Sequence, residues 1–184
     1  MRTMDSRYRL KQMILFIASE MQGADYFGAT KLNKVLFRSE MAAFQELGGK
    51  LTTFHYQKNE NGPTLRAFMP VTREMEVEGL LAWEIRTQGV SEERRPIAKA
   101  PYDESALAPE EWEVLRKEIR RAFPLTARQM SDEEHKTAAW YATRTGEDIK
   151  PELSFVEDPG VVIPLSPDED EIARHAVERF LARA

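Results

Sequence analysis

Apolar residues recur at helical spacing through the first quarter of the chain and predict two helices. The first is expected from about Ser6 to Gln22, with one apolar face and Gly23 as its stop. The second is expected over residues 30–47, with Thr30 as its N-cap and Gly48 beyond its end. Apolar residues fall on two nearly opposite sides of this second helix. That pattern is typical of a helix packed between neighbours, so we expect this helix at the centre of the fold.

The remaining strip of the second helix is polar and mostly basic. It carries Lys31, Lys34, Arg38 and Gln45. Two interpretations are open. The strip is a solvated edge of the helix, which is the commoner arrangement, or it is a contact surface for an acidic partner.

A short extended segment and a sharp corner follow the second helix. Residues 50–58 are rich in threonine and aromatic side chains without helical spacing, which predicts a short strand. The sequence NENGP (59–63) then breaks the chain, and Pro63 suits the first turn of a following helix, predicted from Thr64 toward Gly79 with an interruption at Pro70. We interpret the corner as structural, fixing the angle between strand and helix, rather than as an anion site.

Alternating apolar residues after this helix predict a β-hairpin. Leu81 to Thr87 and Arg94 to Ala100 flank a polar tip, and the alternation of Leu81, Trp83 and Ile85 predicts one buried face.

The second half of the chain predicts three more helices. Pro109 opens one whose apolar stripe ends before Pro124. Ser131 and Glu134 form a capping-box pattern, which predicts a helix to about Thr145 with Gly146 as its stop. Along it, the small residues Ala138, Ala139 and Ala142 would let another backbone approach closely. The last helix is expected over residues 167–183, where the spacing of Ile172, Ala176 and Phe180 favours docking on the same domain.

These elements predict an α+β, mainly α fold. We expect a compact helical domain of about six helices around the central helix (30–47), with a small antiparallel β element. A chain of 184 residues with 42% hydrophobic residues can bury about 70% of its unfolded surface around one core. Residues 156–184 form an acidic C-terminal segment, since seven acidic and three basic residues lie from Glu157 onward.

Composition and charge narrow the functional classes. A net charge of -5 argues against a broad electrostatic grip on nucleic acid or anionic lipid. The chain has no cysteine, so it forms neither disulfides nor thiolate metal sites. The apolar run between Lys11 and Glu20 is too short for a signal peptide or a membrane span, so a cytoplasmic protein is expected.

Candidate chemistry is sparse. The three histidines, His55, His135 and His175, stand in different elements, and no phosphate-binding or nucleophile motif is present, so we expect no metal, no cofactor and no enzyme. The alternative is a hydrolase that uses His135 with Glu134 or Asp132. We rank it low because a capping-box carboxylate already has a structural role.

Two blocks of the sequence resemble one known family. The stretch KLNKVLFRSEMAAFQELGGKLTTFHYQKNENGP (31–63) looks like the first block of the Panacea domain of SocA-like antitoxins, and MSDEEHKTAAWYATRTGEDI (130–149) resembles its second. The blocks stand in the family's order, and the resemblance predicts a domain over residues 1–155.

The resemblance implies a protein-binding module without catalytic residues. Such a protein is a bacterial or prophage-associated, cytoplasmic antitoxin that binds and neutralises a toxin encoded beside it, or acts as its chaperone or adaptor. A homodimer is compatible with this role. The residues expected to form the framework of the motif are Leu32, Phe37, Gly62, Pro63, Trp140 and Gly146. The candidate partner contacts are Lys31, Lys34, Arg38, Tyr56 and His135. The alternative is a DNA-binding autoregulatory protein that uses Lys31, Lys34 and Arg38.

Overall fold

Helices dominate the chain and two small strand pairs complete it. The computed structural model describes residues 5–88 and 91–156, together with residues 171, 172, 174, 175 and 177–179. Within residues 5–156 it contains the helices α1 (Ser6–Glu20), α2 (Ala29–Leu47), α3 (Phe68–Val77), α4 (Pro109–Ala122), α5 (Ala127–Glu134) and α6 (Ala138–Tyr141). The strands are β1 (Tyr56–Asn59), β2 (Gly62–Leu65), β3 (Leu81–Gln88) and β4 (Ser91–Ala98), paired antiparallel as β1–β2 and β3–β4. The predicted α+β, mainly α class is confirmed.

The α2 helix lies at the centre, as predicted. It contacts α1, α4 and α5, both strand pairs and a 3-10 turn at Pro151–Phe155. Its apolar residues are buried on both sides: Leu32 and Leu36 are fully buried and Phe37 is 6% exposed. The expected N-cap at Thr30 is wrong, because the helix already begins at Ala29 after Gly28.

The α1 helix is enclosed rather than amphipathic. Every residue from Leu10 to Ala18 is buried. The two polar residues in this run have partners: Lys11 Nζ binds Glu74 Oε1 at 2.7 Å and Glu78 Oε2 at 2.8 Å, and Gln12 accepts a hydrogen bond from the Asp103 N–H. The prediction of one apolar face is therefore wrong, because α3 and the segment before α4 cover the polar side.

The corner at residues 59–63 is the turn of a hairpin and not the start of a helix. Asn59 pairs with Gly62, and Pro63 lies within β2. The α3 helix begins only at Phe68, and Pro70 falls in its first turn, where a missing N–H costs nothing. The predicted helix from Thr64 is wrong because residues 62–65 extend instead to pair with β1.

The side chain of Asn33, on α2, holds the outer edge of β2. Its amide nitrogen donates to the Pro63 carbonyl at 2.7 Å, and its amide oxygen accepts from the Leu65 N–H at 3.0 Å. The buried backbone of β2 is thereby satisfied as a third strand would satisfy it. The opposite edge, on β1, is covered by residues 146–149.

The predicted hairpin of β3 and β4 is confirmed, but its buried face is shorter than expected. Leu81 pairs with Ala98 and is 2% exposed, whereas Ile85 is 56% exposed because that end of the strands extends beyond the core. A buried Arg95 projects from β4 and donates to the carbonyls of Met21 and Ala24 at the end of α1.

In the second half of the chain, one of the predicted helices begins at a different residue. The α4 helix has Pro109 in its first turn, as expected. The capping box of Ser131 and Glu134 does not exist, because Thr126 and Gln129 form the box that opens α5. Glu134 is the last residue of that helix, and a separate short helix, α6, follows.

The C-terminal segment is described only in part. The predicted helix over residues 167–183 lies largely outside the described residues. Of its described side chains, Val177 packs against the core and Ile172 is 67% exposed. Docking of the whole segment stays a prediction. None of the helices among the described residues is long and apolar enough to cross a membrane.

Candidate functional site

A buried ion cluster joins three distant segments of the chain. Lys34 Nζ, on α2, lies 2.7 Å from Glu134 Oε2 at the end of α5, and it donates to the Asn61 carbonyl in the β1–β2 turn at 3.2 Å. Arg38, one helical turn on, places its Nε 3.1 Å from the other oxygen of Glu134. The side chains of Lys34 and Glu134 are 2% and 4% exposed, so this cluster belongs to the core.

Gly62 is needed at this cluster. Its φ of +113° is a conformation that residues with a side chain rarely adopt. A Cβ at this position would collide with the Lys34 ammonium and lie 3.3 Å from Glu134 Oε2. The Ser131 hydroxyl completes the arrangement by donating to the Asn61 carbonyl at 2.9 Å. The glycine therefore gives the lysine room to reach its carboxylate.

Lys31 forms a second internal anchor. It is fully buried, and its ammonium donates to the carbonyls of Asp25, at 3.3 Å, and Phe123, at 3.1 Å. Phe123 directly follows the carboxyl end of α4, where a cation is favourable. Burial lowers the pKa of Lys31, and the charges of Glu93 and Asp25 partly oppose that shift.

The predicted exposed strip on α2 is thus wrong for both lysines. Lys31 and Lys34 face the interior because the ends of α1 and α4 cover one and the β1–β2 turn and α5 cover the other. Arg38, the third basic residue of the strip, reaches the surface with 15% of its side chain exposed. Its guanidinium lies 2.9 Å from Glu133 Oε2. These positions tie elements together. Their role in partner binding stays a hypothesis.

Tyr56 is 3% exposed and packs edge-on against Phe37, 5.3 Å between ring centroids. Its hydroxyl has no hydrogen-bond partner among the described residues. Burial, followed by the charge of Glu40, raises the pKa of Tyr56 well above its ordinary value.

Glu40 is itself fully buried, and its carboxylate accepts hydrogen bonds from the N–H groups of Leu51 and Thr52. Burial raises the pKa of Glu40 despite these bonds.

His135 stacks on Trp140, with 4.0 Å between the ring centroids. The Lys58 ammonium lies 4.4 Å from the centroid of the Trp140 ring and donates to the Trp140 carbonyl at 2.7 Å. Burial lowers the pKa of His135, and the charge of Lys34 acts in the same direction. His135 follows the end of α5, not the start of a helix, and Glu134 is taken up by Lys34 and Arg38. The sequence-predicted pair of His135 with Glu134 is therefore not assembled as a catalytic unit.

The remaining framework candidates stabilise turns and packing. Leu32 and Phe37 are buried in the core, and Pro63 is buried in β2. Gly146 has a φ of +87°, and its N–H donates to the Lys58 carbonyl at 2.7 Å, so it supports the edge of β1. It does not end a helix, since α6 stops at Tyr141.

A cleft of about 650 Å³ opens beside this framework. One wall is α2, the second is the end of α4 with Leu125, the third is the end of α5 with α6, and the fourth is the segment 153–156. The apolar lining is Phe37, Met41, Ala42, Leu125, Ala138, Ala139, Leu153 and Val156, and the polar lining is Arg38, Gln45, Glu118, Arg121, Glu133, Glu134, Thr137 and Ser154. A concave site of this size is within the range that proteins use to bind ligands.

Two charged side chains of opposite sign stand at the exposed rim of the cleft. The Arg121 side chain is 68% exposed, and its guanidinium lies 2.9 Å from Glu118 Oε1. The Glu133 side chain is 54% exposed and binds Arg38. The pKa of Arg121 is raised chiefly by its bond to Glu118, and Glu133 adds to the effect. Both of these rim charges are therefore paired within the chain.

Of the partner contacts predicted from the sequence, Arg38 lines this cleft. Glu134 was predicted only as a capping-box residue or a partner of His135, and Asn33 and most of the lining were not predicted. A buried lysine needs an acceptor, but the sequence does not reveal which kind: Lys31 takes two carbonyls, whereas Lys34 takes the Glu134 carboxylate. No local signal reveals Asn33. Among the described residues, no group of three metal-ligating side chains comes together.

The comparison with protein families gives one match. The family model described as antitoxin SocA-like, Panacea domain, matches residues 32–141, more than half of the chain. Comparisons with curated proteins and with solved structures gave no significant match. All the lining residues of the cleft except Leu153, Ser154 and Val156 fall inside the matched range.

Proposed function

We propose, because this chain belongs to the antitoxin SocA-like Panacea domain family, that it binds a partner toxin and neutralises it by stoichiometric masking. The family gives the chain a toxin–antitoxin-related role. Binding, masking and any action as chaperone or adaptor are our proposal. A neutralising protein must share the compartment of its target, so we further propose a cytoplasmic protein of a bacterium or prophage.

One observation supports the cleft as the binding surface in this proposal. The two sequence blocks that resemble the family lie about 70 residues apart in the chain, yet α2 and α5–α6 both line one cleft. Buried ion pairs of Lys34 and Arg38 with Glu134 hold these walls together. A preformed cleft of this kind supports tight binding, since its walls lose little conformational freedom when a partner docks.

The structure offers less support for the two alternatives. The basic strip proposed for DNA contains two buried lysines and an arginine already paired with two glutamates. The hydrolase alternative required His135 to work with Glu134 or Asp132, and of these two carboxylates Glu134 is already bound by Lys34 and Arg38. The family itself favours a non-enzymatic role.

Co-expression with the product of the neighbouring reading frame tests the proposal. We expect growth arrest by that product alone, rescue when this chain is present in at least equal amount, and a complex of fixed stoichiometry on gel filtration. Rescue at far below equal amounts would point to catalysis instead of masking. No complex and no rescue would remove the proposal. Binding to the upstream DNA that weakens steeply with salt would favour the autoregulatory alternative.

A further inference from the structure

The two hairpins of the fold differ in how their outer edges are covered. Asn33 binds the outer edge of β2, and residues 146–149 cover that of β1. The β4 strand lies against α1 and α2, and its Pro96 carbonyl accepts a hydrogen bond from Gln22 Nε2 at 3.4 Å. No hydrogen bond from another described segment reaches the backbone of β3 over residues 83–87. Among the described strands, β3 therefore has the uncovered edge.

The pairing of β3 with β4 determines which backbone groups lie on this edge. The Lys99 N–H donates to the Leu80 carbonyl at 2.8 Å, so this pair is hydrogen-bonded. In an antiparallel ladder, such pairs alternate with pairs whose backbone groups point away from the partner strand. Pro96, which has no N–H to donate, fits a position of the second kind. Along the second half of β3, the residues whose backbone groups point outward are Trp83, Ile85 and Thr87.

These outward groups are accessible to another chain. Every side chain from Glu84 to Thr87 is exposed, because this part of the strand extends beyond the core. An exposed strand edge is a template for a further strand. It also selects the form of its occupant, since a helix has bonded its own backbone groups internally and only an extended segment presents N–H and C=O groups at matching intervals.

The charge pattern on the edge favours a second copy of this chain in one register. Glu84 and Arg86 flank Ile85 and lie on the same face of β3, because side chains alternate along a strand. Two copies of β3 that pair antiparallel about a twofold axis at Ile85 place each Glu84 opposite Arg86 of the other copy. An axis at Glu84 or at Arg86 would place like charges directly opposite each other, which is unfavourable.

In the single chain these two charges pair with each other, with 3.1 Å between Arg86 Nε and Glu84 Oε1. The two side chains are 43% and 49% exposed, and pairs this exposed contribute little to stability. Exchanging the pair within one strand for the same pair between two strands is therefore close to neutral. The charges determine the register, whereas the attraction comes from the outward backbone groups and from Ile85, which is 56% exposed and would meet its own counterpart.

We propose that β3 is the interface of a homodimer, in which two copies pair antiparallel about Ile85 and join the two β3–β4 hairpins into one sheet. Trp83 then lies opposite Thr87 of the other copy, and the outward residues exchange about six main-chain hydrogen bonds. A contact confined to one strand edge is small, so we expect a weak dimer with a Kd of about micromolar or higher. The homodimer goes beyond the proposed function and does not depend on toxin binding.

Charge reversals on the edge test the register. Glu84→Arg and Arg86→Glu each bring like charges together in the dimer, so each should raise the dimer Kd by about tenfold or more at low salt. An equimolar mixture of the two variants should dimerise with a Kd within about threefold of the unaltered value, because every charge then meets one of opposite sign. Arg120→Glu, on α4 with a 64% exposed side chain, is the control and should leave the Kd unchanged. Sedimentation velocity over a series of concentrations measures all of these constants.

Hydrogen exchange of the unaltered chain locates the contact without any variant, so it covers the case in which a reversal disturbs the hairpin. When about nine tenths of the chain is dimeric, the amides of Trp83, Ile85 and Thr87 should exchange about tenfold more slowly than in the monomer. The amides of Glu84 and Arg86 point toward β4 and should exchange at the same rate at every concentration.

Three results would overturn the inference. The first is a chain that remains monomeric up to about 1 mM, a concentration at which even a weak specific dimer forms. The second is a dimer that both charge reversals leave unchanged, or whose protected amides lie outside residues 83–87, because it would use another surface. The third is protection of these amides only when the purified product of the neighbouring reading frame is added, which would assign the edge to that protein. The proposed function survives all three, since co-expression tests it separately.

Discussion

Removal of the Lys34 ammonium should destabilise the protein far more than removal of a surface lysine. The substitution Lys34→Met keeps an unbranched apolar stem but deletes the cation that binds Glu134 at 2.7 Å and the Asn61 carbonyl at 3.2 Å. Both side chains of the ion pair are at most 4% exposed, so water does not replace the lost partner. The carboxylate of Glu134 is left buried with one counterion instead of two.

The magnitude follows from the surroundings of Glu134. Breaking a buried ion pair by removing one partner costs about 3–5 kcal/mol. Arg38 Nε stays 3.1 Å from Glu134 Oε1, which places the expected loss near the lower end, at about 3 kcal/mol. Domains are stable by only about 5–15 kcal/mol, so this is a large share of the free energy of unfolding.

Two further variants separate the ion pair from a general effect of losing a lysine. The double variant Lys34→Met with Glu134→Leu should recover most of the loss, because an apolar replacement of a whole buried pair is often neutral. Arg38 then still has Glu133 at 2.9 Å and the Met130 carbonyl at 3.0 Å. Lys117→Met removes an exposed ion pair with Glu46 and should cost at most about 1 kcal/mol.

Urea unfolding followed by circular dichroism measures all of these free energies, and unchanged slopes show that the variants remain comparable. A loss for Lys34→Met as small as that for Lys117→Met would refute the assignment of Lys34 to the framework. A double variant less stable than Lys34→Met alone would refute the argument from an uncompensated buried carboxylate.

Two other predictions concern the same core. Gly62→Ala should lower the free energy of unfolding by about 2–4 kcal/mol, because φ is +113° there and the new methyl group would displace Lys34. Its control, Gly48→Ala, has a φ of +73° and no atom within 4 Å, and should lower it by about 1 kcal/mol. Equal losses in urea unfolding would contradict this difference. Burial raises the pKa of Glu40 above 4.5, so its contribution to stability is full below that pH and is lost as the pH rises through the raised value. The stability of Glu40→Gln relative to the unaltered chain should therefore increase as the pH rises from about 4 toward neutrality, and a constant difference over that range would argue against a raised pKa.

Helical periodicity located the polar strip of α2 correctly but not what covers it. The spacing of Lys31, Lys34 and Arg38 does place them on one side of the helix. Their burial is decided by the turn at residues 60–62 and by α5, which are distant in sequence. A wheel of one helix carries no information on such contacts, so a basic strip and a pair of internal anchors look alike in the sequence.

The boundary errors arise where two local patterns compete and a contact distant in sequence selects one of them. The loop of this hairpin is Glu60-Asn61, and Gly62 begins the second strand with a positive φ. Once Asn33 could bind the edge of that strand, pairing outweighed the preference of Pro63 for a helix start. In the second block, Thr126-x-x-Gln129 and Ser131-x-x-Glu134 both fit a capping box. The Thr126–Gln129 box forms because Glu134 is buried against Lys34 on another helix. That contact belongs to the tertiary structure and leaves no local signal in the sequence.

Arg38 belongs both to the framework and to the cleft, and this limits what its substitution would reveal. Its side chain binds Glu133 and Glu134 and also lines the cleft, so its loss would alter stability and partner binding together. Ala138 lines the cleft without taking part in the bonds that join α2 to the β1–β2 turn and α5, whereas Arg121 lines it and also binds the buried Glu118. A loss of binding in an Ala138 variant, at unchanged stability, would therefore locate the recognition surface, whereas a loss of both binding and stability in an Arg38 or Arg121 variant would not.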